Sequence, residues 1–121
     1  MISYSTPVLD FDNKFMRYVL FNKLLLKLEE LMKNQHIWSS EPPSEQALAS
    51  TAPFACDTLP FEQWLQFIFI PKMYQLLAAR QPMPTAMAIA PMAEHVWQHN
   101  GPHQSIINLL KEFDELINES I

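Results

Sequence analysis

Three histidines recur at intervals of four residues near the C-terminal end of the chain: His95, His99 and His103. Side chains four residues apart share one face of a helix, which is a spacing that two metal-binding imidazoles can use. Gly101 and Pro102 interrupt the pattern, because they end a helix before His103. A metal site also needs converging ligands and a supporting shell of hydrogen bonds. We therefore interpret these histidines as partly exposed side chains and predict no metal site.

The other candidates for chemistry are a thiol and two acids. Cys56 is the only cysteine, which excludes an internal disulfide and a multi-cysteine zinc site. Because it adjoins Asp57 and not a basic group, we predict a buried, inert thiol. Glu94 falls in the first turn of a predicted helix, where an acid suits the helix dipole. No hydrolase, phosphate-loop or zinc-protease motif is present, so we predict no catalytic residue, no cofactor and no enzymatic activity.

Four large aromatic side chains could line a ligand cavity: Trp38, Phe54, Trp64 and Trp97. Aromatic residues at helical spacing more often belong to a hydrophobic core. A ligand cavity would combine them with a few converging polar groups. Both readings stay open at this point.

The segment WLQFIFIPKM, residues 64–73, is apolar at seven of its ten positions and carries a proline. It is too short to cross a bilayer, which takes about 20 apolar residues. It continues into the helix-forming YQLLAAR, and the chain contains only one glycine for the turns that a sheet would need. We predict a helix over Pro60–Arg80, with Asp57 or Thr58 as its N-cap.

Pro71 lies inside this predicted helix and should kink it. At about 100° per residue, Ile70 and Met73 continue the side that carries Glu62 and Gln66. We therefore expect the core to leave Ile70 and Met73 uncovered, the long loop to cover part of this surface, and a partner or a second copy to bind the rest. The candidate partner- or ligand-binding residues are Trp38, Phe54, Trp64, Phe69, Ile70 and Met73.

Three further helices follow from the apolar periodicity. The first runs from about Asp12 to Gln35, a shorter one from Pro91 to Gly101, and the last begins at Pro102. We predict an all-α fold, a four-helix bundle with a long proline-containing loop (Ile37–Leu59) between helices 1 and 2 and a kinked helix 2. Residues 1–13 would form an N-terminal extension that is free to be flexible, and residues 14–121 a single bundle domain.

The composition limits the cellular location and the classes of partner that we expect for the protein. With 121 residues, 49% hydrophobic and 17% charged, the chain is long and apolar enough for one core. The net charge of -5 argues against direct nucleic-acid binding and against anionic membranes. Acids precede any apolar run at the N-terminus, so we predict no signal peptide and a cytoplasmic protein. Most basic residues fall in helix 1 and many acids in helix 4, which predicts that these helices pack side by side.

A set of short motifs resembles the YqcC-like family, a bacterial domain of unknown function. The set comprises Trp38-x3-Pro42, S-T-x-P-F at 50–54, D-T at 57–58, W-L-Q at 64–66, I-P-K-M at 70–73 and a late A-P. The resemblance covers roughly Phe15–Ile117, implies a four-helix bundle and implies no activity. Genes of this family often adjoin that of a tRNA pseudouridine synthase.

Two functions are therefore compatible with the sequence. The first, which we favour, is a non-catalytic interaction or accessory module for an unknown protein partner, with a tRNA pseudouridine synthase as the candidate; a homodimer is also open. The alternative is a small-ligand-binding protein or an enzyme with a pocket between helices. An exposed apolar patch over a closed core would favour the first, and a polar-lined cavity of at least ~300 Å³ would favour the second.

Overall fold

The computed structural model describes residues 6–80, 87–98 and 101–118, with side chains from residue 15 onward. These ranges contain five helices and no strand, which confirms the all-α prediction. The helices are α1 (Thr6–Asn34), α2 (Glu45–Leu48), α3 (Phe61–Trp64, a π-helical turn Leu65–Phe69, and Ile70–Ala78), α4 (Ile89–Trp97) and α5 (Gln104–Asn118). A 3₁₀ turn, Pro53–Ala55, lies in the long loop.

The first and last helices pack against each other through their apolar faces. On α1, Phe21, Leu25 and Leu28 are fully buried, at the three- and four-residue spacing of one helix face. The ring centroid of Phe21 lies 6.4 Å from that of Phe113 on α5, so the predicted side-by-side packing is confirmed. The predicted start of helix 1 near Asp12 is wrong, because α1 already includes Thr6. Whether residues 1–13 act as a separate extension stays a prediction.

A tight backbone motif turns the chain out of α1 and into the long loop. The N–H of His36 donates to the Lys33 carbonyl at 3.1 Å, and the N–H of Ile37 donates to the Met32 carbonyl at 3.0 Å. This is a Schellman arrangement, in which the residue after the C-cap adopts a left-handed conformation. Here that residue is His36, with a φ of 62°. The motif sends Ile37 back against the hydrophobic core.

Helix α3 passes through Pro71 without a break, because a π-helical turn comes directly before it. The N–H of Ile70 donates to the carbonyl of Leu65, five residues earlier. A π turn holds one more residue than an α turn, so it rotates every later side chain relative to the first part of the helix. Ile70 and Met73 therefore point into the core and are only 4% and 3% exposed. The expectation that they would stay uncovered is wrong, since it assumed α-helical rotation throughout.

The starts of α3, α4 and α5 differ from the predicted ones. The N-cap of α3 is Pro60, and neither Asp57 nor Thr58 caps it. Helix α4 begins at Ile89, two residues before the predicted Pro91. It ends at Trp97, followed by Gln98 with a φ of 61°, so Gly101 is not its left-handed terminator. Helix α5 starts at Gln104, not at Pro102.

Candidate functional site

An apolar cavity of about 230 Å³ opens between α3, the long loop and the start of α4. We call it the α3 cavity. It contains four of the six residues predicted to bind a partner or ligand: Phe54, Trp64, Phe69 and Met73. Its lining residues are Phe54, Trp64, Ile68, Phe69, Lys72, Met73, Met87, Ala88 and Ile89. A binding role for these residues stays a prediction.

The other two predicted residues lie elsewhere. Ile70 belongs to the hydrophobic core and does not line the cavity. Trp38 packs at the edge of the core, with the Nζ of Lys33 5.2 Å from its ring centroid. This is the geometry of a cation–π contact. The structure thus separates Trp38 from the aromatic residues with which the sequence grouped it.

The π turn shapes the floor of the cavity. The rings of Trp64 and Phe69 stack with centroids 5.5 Å apart and planes 24° apart. Residues three and four apart are neighbours on an α-helix, whereas the π pattern brings residues five apart onto one side. Phe69 also packs edge to face against Phe113 of α5, with 5.6 Å between the ring centroids. The cavity floor is therefore joined directly to the core.

Phe54 forms the wall that the long loop contributes. Its φ of 57° and the φ of 49° at Ala55 lie in the left-handed region, which costs a non-glycine residue about 1–3 kcal/mol. This backbone directs the Phe54 ring onto Trp64, at 4.8 Å between centroids, and towards Phe61, at 6.1 Å. Edge-to-face aromatic pairs contribute about 0.5–1.5 kcal/mol, which offsets part of that strain. The long loop therefore packs on α3 through Phe54.

Short polar contacts brace the loop around Phe54. The Ser50 hydroxyl donates to the Asp57 carboxylate and accepts the N–H of Ala52. The Thr58 hydroxyl donates to the carbonyl of Ala47 at 2.8 Å. The polar residues of the S-T-x-P-F and D-T motifs therefore hold the loop to itself. Asp57 and Thr58 serve this purpose instead of capping α3.

Gln66 ties the beginning of the long loop to α3. Its side chain is 7% exposed; Oε1 accepts the N–H of Ser39 at 2.8 Å, and Nε2 donates to the Ser39 carbonyl at 2.9 Å. Both polar groups of the amide are thus satisfied, as burial requires. Our sequence interpretation placed Gln66 on a wet helix face and missed this role. The W-L-Q motif was the one available signal.

Two side chains of α5 hold the third wall, residues 87–90. Asn118 accepts the N–H of Met87 at 3.1 Å and donates to its carbonyl at 3.0 Å. The carboxylate of Asp114 accepts the N–H of Ile89 at 3.0 Å and that of Ala90 at 2.8 Å, so it caps α4 from a neighbouring helix. Burial raises the pKa of Asp114, although these two hydrogen bonds act in the opposite direction.

Lys72 is the one charged residue among the described residues of the cavity lining, and it is exposed. Within the described ranges it forms no ion pair.

On the other side of Phe54 lies a second cavity of about 260 Å³, whose lining includes Cys56, Phe61, Met92 and Val96. Cys56 is exposed, so its predicted burial is wrong.

The described residues offer little for catalysis or metal binding. No group of three or more histidine, cysteine, aspartate or glutamate side chains converges among them. His95 is exposed, and the ring of His103 lies 4.9 Å from that of Trp97; His99 falls outside the described ranges. The predicted absence of a metal site stays a prediction.

None of the helices in the described part of the chain is both long and apolar enough to cross a membrane.

Comparison with known proteins supports the resemblance seen in the motifs. The sequence model of the family DUF446, described as "tRNA pseudouridine synthase C", matches residues 20–116. The protein named "Uncharacterized protein YqcC" from Escherichia coli is 36% identical over 92 residues, which is 76% of this chain and 83% of that protein. The solution NMR structure of YqcC from E. coli superposes with a TM-score of 0.76 and 31% identity, covering 87% of this chain and 91% of that one.

A third relative is much longer than this chain. It is named "tRNA pseudouridine synthase C", comes from Pectobacterium carotovorum, and is 32% identical over 74 residues. The match covers 61% of this chain but only 20% of the relative, so that protein has about 370 residues. Because the DUF446 model spans most of the chain and the YqcC sequence and fold both match, this chain belongs to the YqcC-like family.

Proposed function

We propose that this protein is a non-catalytic accessory module that binds a tRNA pseudouridine synthase. The observation that carries the proposal is the P. carotovorum relative, in which the matching segment forms one fifth of a chain named as that enzyme. Two modules joined in one chain meet at high effective concentration. A separate copy of the module can make the same contact by affinity alone.

The chemistry of the chain supports a role beside the enzyme rather than on the RNA. Its net charge of -5 disfavours direct contact with phosphates, so in this proposal the synthase supplies the RNA-binding surface. The module would act in the cytoplasm, where it would meet a tRNA-modifying enzyme. The four longer helices, α1, α3, α4 and α5, would serve as a four-helix bundle that presents the proline-containing loop.

The alternative, a small-ligand-binding protein or enzyme, has weaker support. Ligand pockets typically measure about 300–1,000 Å³ and place a few polar groups for orientation. The α3 cavity is smaller than this, and among the described residues that line it Lys72 is the only charged one. No acid, base and nucleophile converge among these described residues, as a catalytic site would require. A small apolar pocket is instead the usual receptor for an aliphatic or aromatic anchor of a protein partner.

The proposal is tested by mixing the purified protein with the tRNA pseudouridine synthase C of the same organism. Size-exclusion chromatography with light scattering should show a discrete complex, and titration calorimetry should give its affinity. A different pseudouridine synthase from the same organism is the control and should not bind. If both proteins elute separately at tens of micromolar, the proposal is wrong. The same chromatography of the protein alone reports whether it forms a homodimer.

A further inference from the structure

Among the described residues, the α3 cavity combines an apolar lining with one lysine, Lys72, for which no ion pair is found. Its volume of about 230 Å³ suits one large side chain better than a cofactor. Met73 and Met87 contribute flexible thioether side chains, which adapt to the shape of an inserted group. Lys72 lines the same cavity and is exposed, so its ammonium group is available to a binding partner.

Lys72 also indicates which charge the partner presents next to the cavity. None of the described residues forms an ion pair with it, although the chain as a whole has a net charge of -5. A carboxylate that arrives next to the cavity would find an unpaired ammonium group beside an apolar surface. Opposite charges at the rim of an interface set its register and speed association.

We propose that the α3 cavity binds a bulky apolar side chain of the tRNA pseudouridine synthase, and that an aspartate or glutamate next to it pairs with the Nζ of Lys72. This inference rests on the proposed function and specifies its site. The recognised element is thus an apolar anchor beside an acid on the surface of the enzyme. It enters between Phe54 of the long loop and Ala88 at the start of α4.

Ring contacts and hydrogen bonds support the two walls between which the anchor would enter. Phe54 is held by its left-handed backbone and by its edge-to-face contact with Trp64. The segment that contains Ala88 is held on both sides, at Met87 by Asn118 and at Ile89 by Asp114. A preformed pocket requires little ordering when the anchor enters. These contacts are consistent with a pocket that is already formed in the unbound protein.

Two substitutions test the two halves of the proposal. Ala88→Phe places an aromatic ring at the cavity, and Lys72→Glu reverses the charge. Each should weaken binding of the synthase by roughly tenfold or more, as for other interface anchors. The matched controls, Ala78→Phe and Lys27→Glu, change exposed residues that do not line the cavity, and should stay within about twofold of the wild type.

The outcomes separate this inference from the proposed function. If the wild-type protein does not bind the synthase, the proposed function is wrong. If it binds and the Ala88→Phe variant binds equally well, the anchor site is wrong; an unchanged Lys72→Glu variant overturns the ion pair. Circular dichroism and thermal unfolding of each variant ensure that a loss of binding reflects the surface and not the fold.

Carbodiimide cross-linking gives a second, independent measurement on the wild-type complex. The reagent joins an amine to a carboxylate in direct contact, so mass spectrometry should find Lys72 linked to an aspartate or glutamate of the synthase. Links that involve other lysines and never Lys72 would overturn the proposed pair.

Decanoate, which has an apolar chain and a carboxylate, tests whether the cavity binds a free ligand instead of a side chain of the synthase. If it shifts the emission of Trp64, read in a variant that has Trp38 and Trp97 replaced by Phe, but leaves synthase binding unchanged at saturation, the cavity is a ligand site and the proposal fails.

Discussion

Trp64 and Phe69 stack with their ring centroids 5.5 Å apart although they are five residues apart in sequence. An ordinary α-helix would direct these two side chains to different sides, and the π turn over Leu65–Phe69 brings them together. The same turn directs Ile70 and Met73 inward. One local change of hydrogen bonding therefore creates the cavity floor and completes the core.

Replacing Phe69 should be far more damaging than replacing its neighbour in the same turn. Phe69 is buried between Trp64 and Phe113, so Phe69→Ala should lower the free energy of unfolding by about 3–5 kcal/mol. Phe67→Ala is the matched control and should cost less, because Phe67 is only partly buried. Urea unfolding followed by tryptophan fluorescence measures both. Equal losses would mean that Phe69 does not hold the core and the cavity floor together.

Gln66→Ala should loosen the start of the long loop. The substitution leaves the N–H and carbonyl of Ser39 without their partners, and an unsatisfied buried polar group costs about 1–3 kcal/mol. The Ser39 amide should then exchange its hydrogen much faster, as measured by NMR. Gln63→Ala, three residues earlier on α3, is the control and should leave that exchange rate unchanged. Unaltered exchange in the Gln66 variant would contradict the proposed tie.

Replacing Asp114 with asparagine should change how stability depends on pH. Burial raises the pKa of Asp114 in the folded protein, so the folded state holds this proton up to a higher pH than the unfolded state. The stabilisation from protonated Asp114 is complete below its unfolded pKa of about 3.9 and is lost as pH rises through the folded value. Relative to Asp114→Asn, the wild type should lose stability across that window.

Urea unfolding at a series of pH values measures this difference. Glu115→Gln, at an exposed neighbouring position on α5, controls for the general effect of removing one carboxylate and should show no comparable slope. A wild type that gains stability with pH relative to Asp114→Asn would mean that the hydrogen bonds to Ile89 and Ala90 outweigh burial.

His36→Gly should stabilise the protein, although glycine usually weakens helices. His36 occupies the left-handed position after α1, with a φ of 62°, where glycine has no steric penalty. The expected gain is about 1 kcal/mol. His95→Gly, at an exposed position inside α4, should instead cost about 1 kcal/mol. Thermal unfolding of both variants tests the contrast, and a loss of stability at position 36 would refute it.

Local patterns in the sequence are enough to predict the helical class and most of the core. Apolar residues on α1 and α5 repeat at three- and four-residue spacing, and this local pattern predicts a helix and its buried face without knowledge of the rest of the fold. The sequence also predicts the helix around WLQFIFIPKM. These features depend on residues that are close in sequence, or on large apolar side chains that the fold has to bury.

The polar supports of the cavity and the register of α3 depend on contacts between residues that are distant in sequence. Gln66 bonds to Ser39 across 27 residues, and Asp114 bonds to Ile89 and Ala90 across 25 and 24. No local periodicity encodes such partners. The π turn places Phe69 edge to face against Phe113 of α5, so the register of α3 is tied to its contact with a helix that is distant in sequence. The cavity is formed by α3, the long loop and the start of α4. Helical propensity does not determine how these three segments are placed relative to one another. Contacts between residues that are distant in sequence do.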